Sequence, residues 1–402
     1  MTTTPHRTTG PTLPAARADG CPFAPPPVYG EALRSAAVSR AELWDGTSCW
    51  LVTGHAEVRA VLADQRFSAD ARHPGFPFLS AGRRELVNRA TPSFLRLDGT
   101  EHLRQRRMLT GDFIVKRVEA MRPSIQRIVD DALDGMIAAG SPADLVGTFA
   151  LPVPSLVICH LLGVPYEDHG FFQSCSSALL DLAAPAELVG AAQRELNGYL
   201  AELTDRKRRE PDDSLLGRLA ARPDITPDEA AAMGVLLLVA GHETTANMTA
   251  LGTLALLRHP EQAARLRAEP GLVKGAVEEL LRWLSVVHLG VPRVAVEDVE
   301  LGGTPVRAGE GVLCMVSTAN RDERLFPDGD RLDLGRDARR HVAFGFGVHQ
   351  CLGQPLARAE LQIALETLFR RLPGLRLAVP YEEVRYRADM VVYGVHELPV
   401  AW

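Results

Sequence analysis

Residues 226–258 form a run of about 33 helix-compatible positions, which at ~1.5 Å each makes a rod roughly 50 Å long. Its start is well marked: Thr226 can cap the free amides, Pro227 suits the first turn, and Glu229 completes a capping box. His259-Pro260 ends it, because proline disfavours helix in the residue before it. A helix this long and this apolar in its middle must be covered by neighbours. The chain is therefore expected to fold around one central helix. The strongest apolar stretch within it, 230–241, runs straight into His242 and Glu243 and is shorter than the ~20 residues that span a bilayer.

The rest of the 402 residues reads as mainly α with small β-sheets. Apolar residues recur at three- and four-residue spacing over 55–62 and 118–137, predicting helices. Strand character is confined to the C-terminal third, at 291–296, 300–306 and 311–317 and in short runs after Leu375, with Gly302-Gly303 as a hairpin turn. Residues 67–92, rich in Pro, Gly and Phe, read as a long loop of the kind that covers a site. Residues 1–27 hold seven of the 28 prolines and read as an extended or mobile lead-in, with ordered structure expected from Val28. No linker or repeat divides 28–402, which predicts a single domain.

Composition sets further limits. Hydrophobic residues at 46% and charged residues at 23% suit a soluble globular protein, and a net charge of −6 argues against a nucleic-acid binder. The N-terminus has no apolar core of a signal peptide, so a cytoplasmic monomer with no membrane association is expected. Six cysteines lie scattered without CxxC spacing, and a chain of this size has no need of disulfides.

One of those cysteines stands apart. In FGFGVHQCLG, residues 344–353, three glycines surround Cys351 and an apolar helical pattern follows at once. Glycines let the backbone approach a flat ligand. A helix N-terminus places amide hydrogens and positive potential near the sulfur, favouring the thiolate that binds metals. A single thiolate without zinc-like partners points to a metal whose other ligands come from a cofactor, and haem supplies four nitrogens.

That segment resembles the haem-binding signature of the cytochrome P-450 superfamily, F-G-x-G-x-H-x-C-x-G, with every fixed position filled. Three more stretches are similar to family motifs and occur in the family's order. AGHETT (240–245) resembles the oxygen-activation segment, Glu279-Leu280-Leu281-Arg282 the E-x-x-R pair, and His102-Leu103-Arg104-Gln105-Arg106 the H-x-x-x-R facing the haem propionates. The resemblance runs from about residue 22 to the C-terminus, and is closest to soluble actinobacterial members. One departure is DGTEH (98–102), where many relatives have D-P-P-E-H; it removes no ligand but is expected to loosen the start of that helix.

The resemblance implies a soluble haem-thiolate monooxygenase with non-covalent haem b, since no CxxCH is present. It implies Cys351 as the iron ligand, with the amides of Leu352 and Gly353 expected at its sulfur, and Phe344, Gly345, Gly353 and Ala240 against the cofactor. His102, Arg106, Arg293 and His349 would hold the propionates. Thr244 would bond a nearby carbonyl and widen the helix beside the iron, with Glu243 in the proton route. Glu279 and Arg282, with Arg331 as a third member, would hold the core around the ligand loop. By family position the substrate would be met by Leu95, Leu236, Val239, Ala240, Val286, Val287, Val391 and Val392, with Phe76, Phe78 and 179–188 at the entrance. These walls hold no cation or carboxylate, which predicts a bulky, fairly apolar substrate such as a macrolide, terpenoid, steroid or xenobiotic.

The implied reaction is hydroxylation or epoxidation with O2 and electrons from NAD(P)H, passed through a ferredoxin or flavodoxin and its reductase. Between residues 96 and 122 seven basic residues face four acidic ones (Arg96, Arg104, Arg106, Arg107, Lys116, Arg117 and Arg122 against Asp98, Glu101, Asp112 and Glu119), and this face, extended by Arg339 and Arg340, is expected to dock the acidic electron donor. Two alternatives remain at this point. One is same-fold chemistry driven by peroxide or coupling rings, against which the intact Glu243-Thr244 pair argues. The other is a haem sensor, which would need a second iron ligand such as His242.

Overall fold

The computed structural model describes residues 10–18, 20–89 and 91–402. The central helix is Pro227–Arg258, and its capping box is complete: the Glu229 amide donates to the Thr226 hydroxyl at 3.2 Å, and the Thr226 amide to the Glu229 carboxylate at 2.9 Å. Every residue from Thr245 to Leu256 is buried. Helices Pro152–Leu162, Ala186–Arg209 and Gln354–Arg371 pack around it. The first of these comes so near that a Cβ at Gly241 would stand 2.9 Å from the Ile158 side chain. The helices expected over 55–62 and 118–137 are His55–Ala63 and Val115–Ala139. No helix among the described residues is long and apolar enough to cross a membrane.

Strands β1 (Thr12–Leu13), β2 (Val38–Leu43), β3 (Ser48–Val52), β4 (Phe67–Ser68) and β5 (Ala143–Asp144) precede the central helix. After it come β6 (Val291–Ala295), β7 (Val299–Leu301), β8 (Thr304–Val306), β9 (Gly311–Cys314), β10 (Arg376–Leu377) and β11 (Pro399–Ala401). The main sheet has the order β1-β2-β3-β9-β6-β4; β10-β11-β5 and the hairpin β7-β8 form two small ones. The hairpin turns at Gly302-Gly303, both at positive φ, as expected.

Several local expectations are corrected. Strands are not confined to the last third, because β2 and β3 pair before it and β3 joins β9 in parallel, Trp50 beside Val312. Their apolar residues are interrupted by Ser, Arg and Glu, so the pairing rather than the composition reveals them. The strand expected to reach Ser317 stops at Cys314, and Val316–Ala319 is a short helix. Residues 67–92 are not one loop: they begin with β4 and carry the helix Ala81–Arg89, which packs on Ala186–Arg209. The lead-in is docked well before Val28. β1 pairs with β2, Leu13 is buried, and the Ala15 amide donates to the Tyr29 hydroxyl at 3.1 Å. Residues 1–9 of that segment, with Asp19, lie outside the described residues.

Beneath the central helix, Glu279 and Arg282 are both fully buried on the helix Val273–Leu284. Arg282 donates to Glu279 twice, at 2.7 and 2.8 Å, and to the carbonyls of Asn320 and Gly329 at 2.8 Å each. The expected third member is corrected: exposed Arg331 offers only its carbonyl, 3.3 Å from Arg282, and the side chain that reaches Glu279 is Arg336, at 3.2 Å. The network ends at the ligand loop, where the Asn320 side chain accepts from the Val342 amide at 2.7 Å.

Candidate active site

The loop 342–353 is folded back on itself. The Cys351 amide donates to the Phe344 carbonyl at 2.9 Å, and Gly345 and Gly347 take positive φ. At Gly347 a Cβ would come within 2.2 Å of the Leu62 carbonyl oxygen, so only glycine fits. The amides that reach the sulfur are those of Gly353, as expected, and Gln354, the N-cap and first residue of the helix Gln354–Arg371, rather than that of Leu352. Burial pushes the Cys351 thiol pKa up, while these amides and the Arg106 and Arg358 guanidiniums work against the rise. Cys351 is nonetheless exposed, and it opens onto a cavity.

That cavity, about 610 Å³, lies between the central helix and the loop. Ala240, Gly241 and Thr244 line one side; Phe344, Gly345, His349, Cys351 and Gly353 line the other. Arg106 and Arg293 also reach it. His102 is buried, its Nε2 has no hydrogen-bond partner among the described residues, and its ring lies 4.2 Å from that of His349. Burial, with help from neighbouring cations, lowers the pKa of His102 to about 4 and that of His349 in the same direction. At neutral pH the two histidines are therefore neutral; His349 gives its single N–H to Asp98, so the donors left for a ligand are His102 and the guanidiniums of Arg106 and Arg293. An exposed sulfur, a cavity between glycine-bearing backbones and donors gathered at one edge fit a flat metal cofactor with two carboxylates. Among the described residues no group of three His, Cys, Asp or Glu side chains is placed to hold a metal by itself.

Asp98 is a site residue that the motif reading passed over. Its carboxylate accepts from Ser68 and the Ala69 amide and lies 3.2 Å from His349 Nε2. Burial would raise its pKa, but these bonds outweigh it and hold the group well below the usual carboxylate range. The helix beginning at Gly99 is tied down here without the two prolines whose absence was expected to loosen it.

On the central helix, the Thr244 hydroxyl donates to the Ala240 carbonyl at 2.7 Å. Thr249 and Thr253 make the same bond one turn back, at 2.9 and 2.8 Å. What sets Thr244 apart is that it faces the cavity. The expected widening is absent: the helix stays α-helical through 240–245. Glu243 does not line the cavity. Its carboxylate is buried against Arg387 Nη1 at 3.1 Å and Asn247 Nδ2 at 3.3 Å. His242 is also turned away, with Nδ1 on the Leu238 carbonyl at 2.7 Å, so it is not positioned as a second ligand. Arg387 has no motif in the sequence to announce it.

All eight expected substrate-wall residues, Leu95, Leu236, Val239, Ala240, Val286, Val287, Val391 and Val392, line the cavity, as do Phe76 and Phe78. Of 179–188 only Leu179 and Leu180 do so, and Leu188 is exposed. The expectation of walls without charge is corrected: Asp70, Arg72 and Arg83, brought in by the segment read as a loop, line it as well, as does Arg96 just beyond that segment.

The basic docking face is thinner than its count. Arg96 and Arg106 point into the cavity, Arg104 pairs with Glu101 and Glu229, Arg122 with Glu119, and Arg339 with Asp337. Arg107, Lys116, Arg117 and Arg340 remain exposed, with Leu103, Ile114, Val115 and Val348 as exposed apolar neighbours in sequence.

Known proteins agree with this geometry. A family model described as Cytochrome P450 matches residues 187–373. Cytochrome P450-SU2 of Streptomyces griseolus is 66% identical over 403 residues, covering 100% of both chains. Pentalenic acid synthase of Streptomyces avermitilis is 53% identical over 386 residues, 95% of each. The crystal structure of CYP105P1 in complex with filipin I matches with a TM-score of 0.92 at 46% identity, covering 98% of this chain and 99% of that one.

Proposed function

Because the chain belongs to the cytochrome P450 family, haem-thiolate monooxygenases whose members bind haem b through a cysteine, we propose that it hydroxylates or epoxidises a bulky, largely apolar small molecule, drawing electrons from NAD(P)H through a ferredoxin and its reductase. One observation carries this reading: a cysteine sulfur opens onto a cavity whose opposite wall presents a threonine hydroxyl. When bound, haem supplies the redox-active iron that activates dioxygen. The names pentalenic acid synthase and filipin I, borne by or bound to relatives, support a substrate of natural-product size.

In this proposal Cys351 is the iron ligand, its sulfur steadied by the Gly353 and Gln354 amides. His102, Arg106, Arg293 and His349 hold the propionates, and Phe344, Gly345 and Ala240 bound the cofactor's two faces. Leu236, Val239, Val286, Val287, Val391 and Val392 exclude water from the reacting carbon. Thr244 Oγ1 holds a proton at the cavity wall by rotating away from the Ala240 carbonyl. Glu243 resupplies it only by exchanging Arg387 for the cavity side of the helix, because its carboxylate rests on Arg387 and Asn247. Glu279, Arg282 and Arg336, with the Arg331 carbonyl, keep the ligand loop in place.

The test is coupling. With ferredoxin, reductase and NADPH, the wild-type protein is expected to turn reductant into oxygenated product. Thr244→Ala is expected to keep consuming NADPH while product per NADPH falls about tenfold or more and hydrogen peroxide rises. Unchanged product per NADPH removes Thr244 from the proton route. Docking is tested by salt. If Arg107, Lys116 and Arg117 guide an acidic donor, its reduction of the protein is expected to slow several-fold between about 50 and 300 mM salt. A rate indifferent to salt assigns docking to the apolar residues alone.

A further inference from the structure

Outside the Asp70–Arg72 pair, closed at 2.6 Å, four guanidiniums among the described residues line the cavity: Arg83, Arg96, Arg106 and Arg293. The two haem carboxylates account for two of them. Arg106 touches the ligand loop through the Gln350 carbonyl, and Arg293 stands near His349, which places this pair at the cofactor. Arg83 and Arg96 are left over. Among the described residues neither has a carboxylate in salt-bridge range. Arg83 has only a long 3.4 Å bond to the Leu179 carbonyl, and Arg96 lies 5.1 Å from the centre of the Phe76 ring. The remaining acid in the cavity, Glu360, is pushed well above the usual carboxylate range by burial, so it is neutral and offers them no charge.

Asp70, already closed on Arg72, acts on Arg96 only from beyond ion-pair distance, so two guanidiniums without a direct counter-ion face the cavity, a costly arrangement unless something answers them. Burial lowers both, Arg96 to about 9, as expected of cations held away from water without a closed ion pair. Gln193 and Asn197 on the overlying helix also line the cavity, and neither carries charge.

We propose that Arg83, with Arg96 behind it, anchors a carboxylate on the substrate, which is therefore a bulky apolar acid rather than a neutral molecule. This rests on the monooxygenase reading and narrows its substrate class. The planar fork of Arg83 binds the carboxylate through paired hydrogen bonds, while the apolar remainder extends along Leu236, Val239 and Val391 toward Thr244.

The test uses haem-loaded protein and three pairs of acid and methyl ester: lauric acid, abietic acid and lithocholic acid with their esters. Binding is followed by calorimetry and by the spin-state shift. At least one acid is expected to bind about tenfold to a hundredfold more tightly than its ester. Arg83→Gln is expected to bring acid and ester to parity, and Arg83→Lys to keep part of the preference should the glutamine variant fail to fold. No preference for any acid, or a preference that survives both Arg83→Gln and Arg96→Gln, overturns the proposal. With the carbon monoxide band of the reduced protein intact, either result leaves the monooxygenase reading standing. Loss of that band in wild-type protein strikes the reading itself.

Discussion

Cys351→Ser is expected to lose the red-shifted carbon monoxide absorbance of the reduced protein and, with it, all measurable monooxygenase turnover. The thiolate pushes electron density toward iron, whereas a serine hydroxyl stays protonated at neutral pH and donates far less. The cavity's other contacts are untouched. Arg106 loses the charge of the thiolate but, with Arg293, His102 and His349, stays in place for the propionates, so the variant is expected to retain haem, measurable as pyridine haemochrome. A change of spectrum at constant haem content is thus the specific signature of a lost ligand, as opposed to a lost fold. The other cysteines provide the control. Burial pushes Cys49, Cys159 and Cys314 up to about 12, and none of them lines the cavity. Cys159→Ser and Cys314→Ser are expected to leave the band where it is. A red-shifted band that persists in Cys351→Ser assigns the iron to another residue.

The parts of this site that could be read from sequence share a physical property: their signal is local. Thr226, Pro227 and Glu229 announce a helix start within four residues, and the capping box forms as written. Cys351 is announced by glycines within six residues, because a close backbone approach needs them there and nowhere else. What escaped notice depends on partners far along the chain. Ser48–Val52 pairs with its hairpin neighbour β2 and is fixed in the main sheet by β9, more than 250 residues later, and its own sequence alternates too weakly to say so. The helix Ala81–Arg89 sits in a segment whose upstream Pro, Gly and Phe residues read as loop, yet packing on Ala186–Arg209 fixes it and delivers Arg83 to the cavity. Orientation was the other blind spot. Adjacent residues Glu243 and Thr244 are one 100° step apart on a helix, enough to send one to Arg387 and the other to the cavity. Arg331 and Arg336 compete for Glu279 in a stretch without regular period, where spacing cannot decide between them.

Arg282→Ala is expected to be the most damaging substitution outside the cavity. Arg282 and Glu279 are both fully buried, and removing Arg282 strips Glu279 of its two short charged hydrogen bonds and leaves Arg336, at 3.2 Å, as its remaining cation, at a cost approaching the ~3–5 kcal/mol of a broken buried pair. Against a total stability of ~5–15 kcal/mol, that is enough to unfold much of the protein at growth temperature. The damage has a direction as well as a size. Arg282 fixes the Asn320 carbonyl, and the Asn320 side chain fixes the Val342 amide at the root of the Cys351 loop. Whatever Arg282→Ala protein stays folded is therefore expected to bind haem weakly, a defect that a distant destabilising change of equal size would not produce. Arg282→Lys keeps the charge but cannot span Glu279, Asn320 and Gly329 at once, so intermediate stability is expected, with haem affinity still reduced. The double variant Glu279→Ala with Arg282→Ala is expected to lose less stability than the sum of the two single changes, because neither half of the fully buried pair is then left without the other. Thermal unfolding by circular dichroism, paired with haem titration, measures both quantities. If Arg282→Ala melts with the wild type and binds haem normally, the buried pair does not hold the loop, and the order of the loop must arise within 342–353 itself.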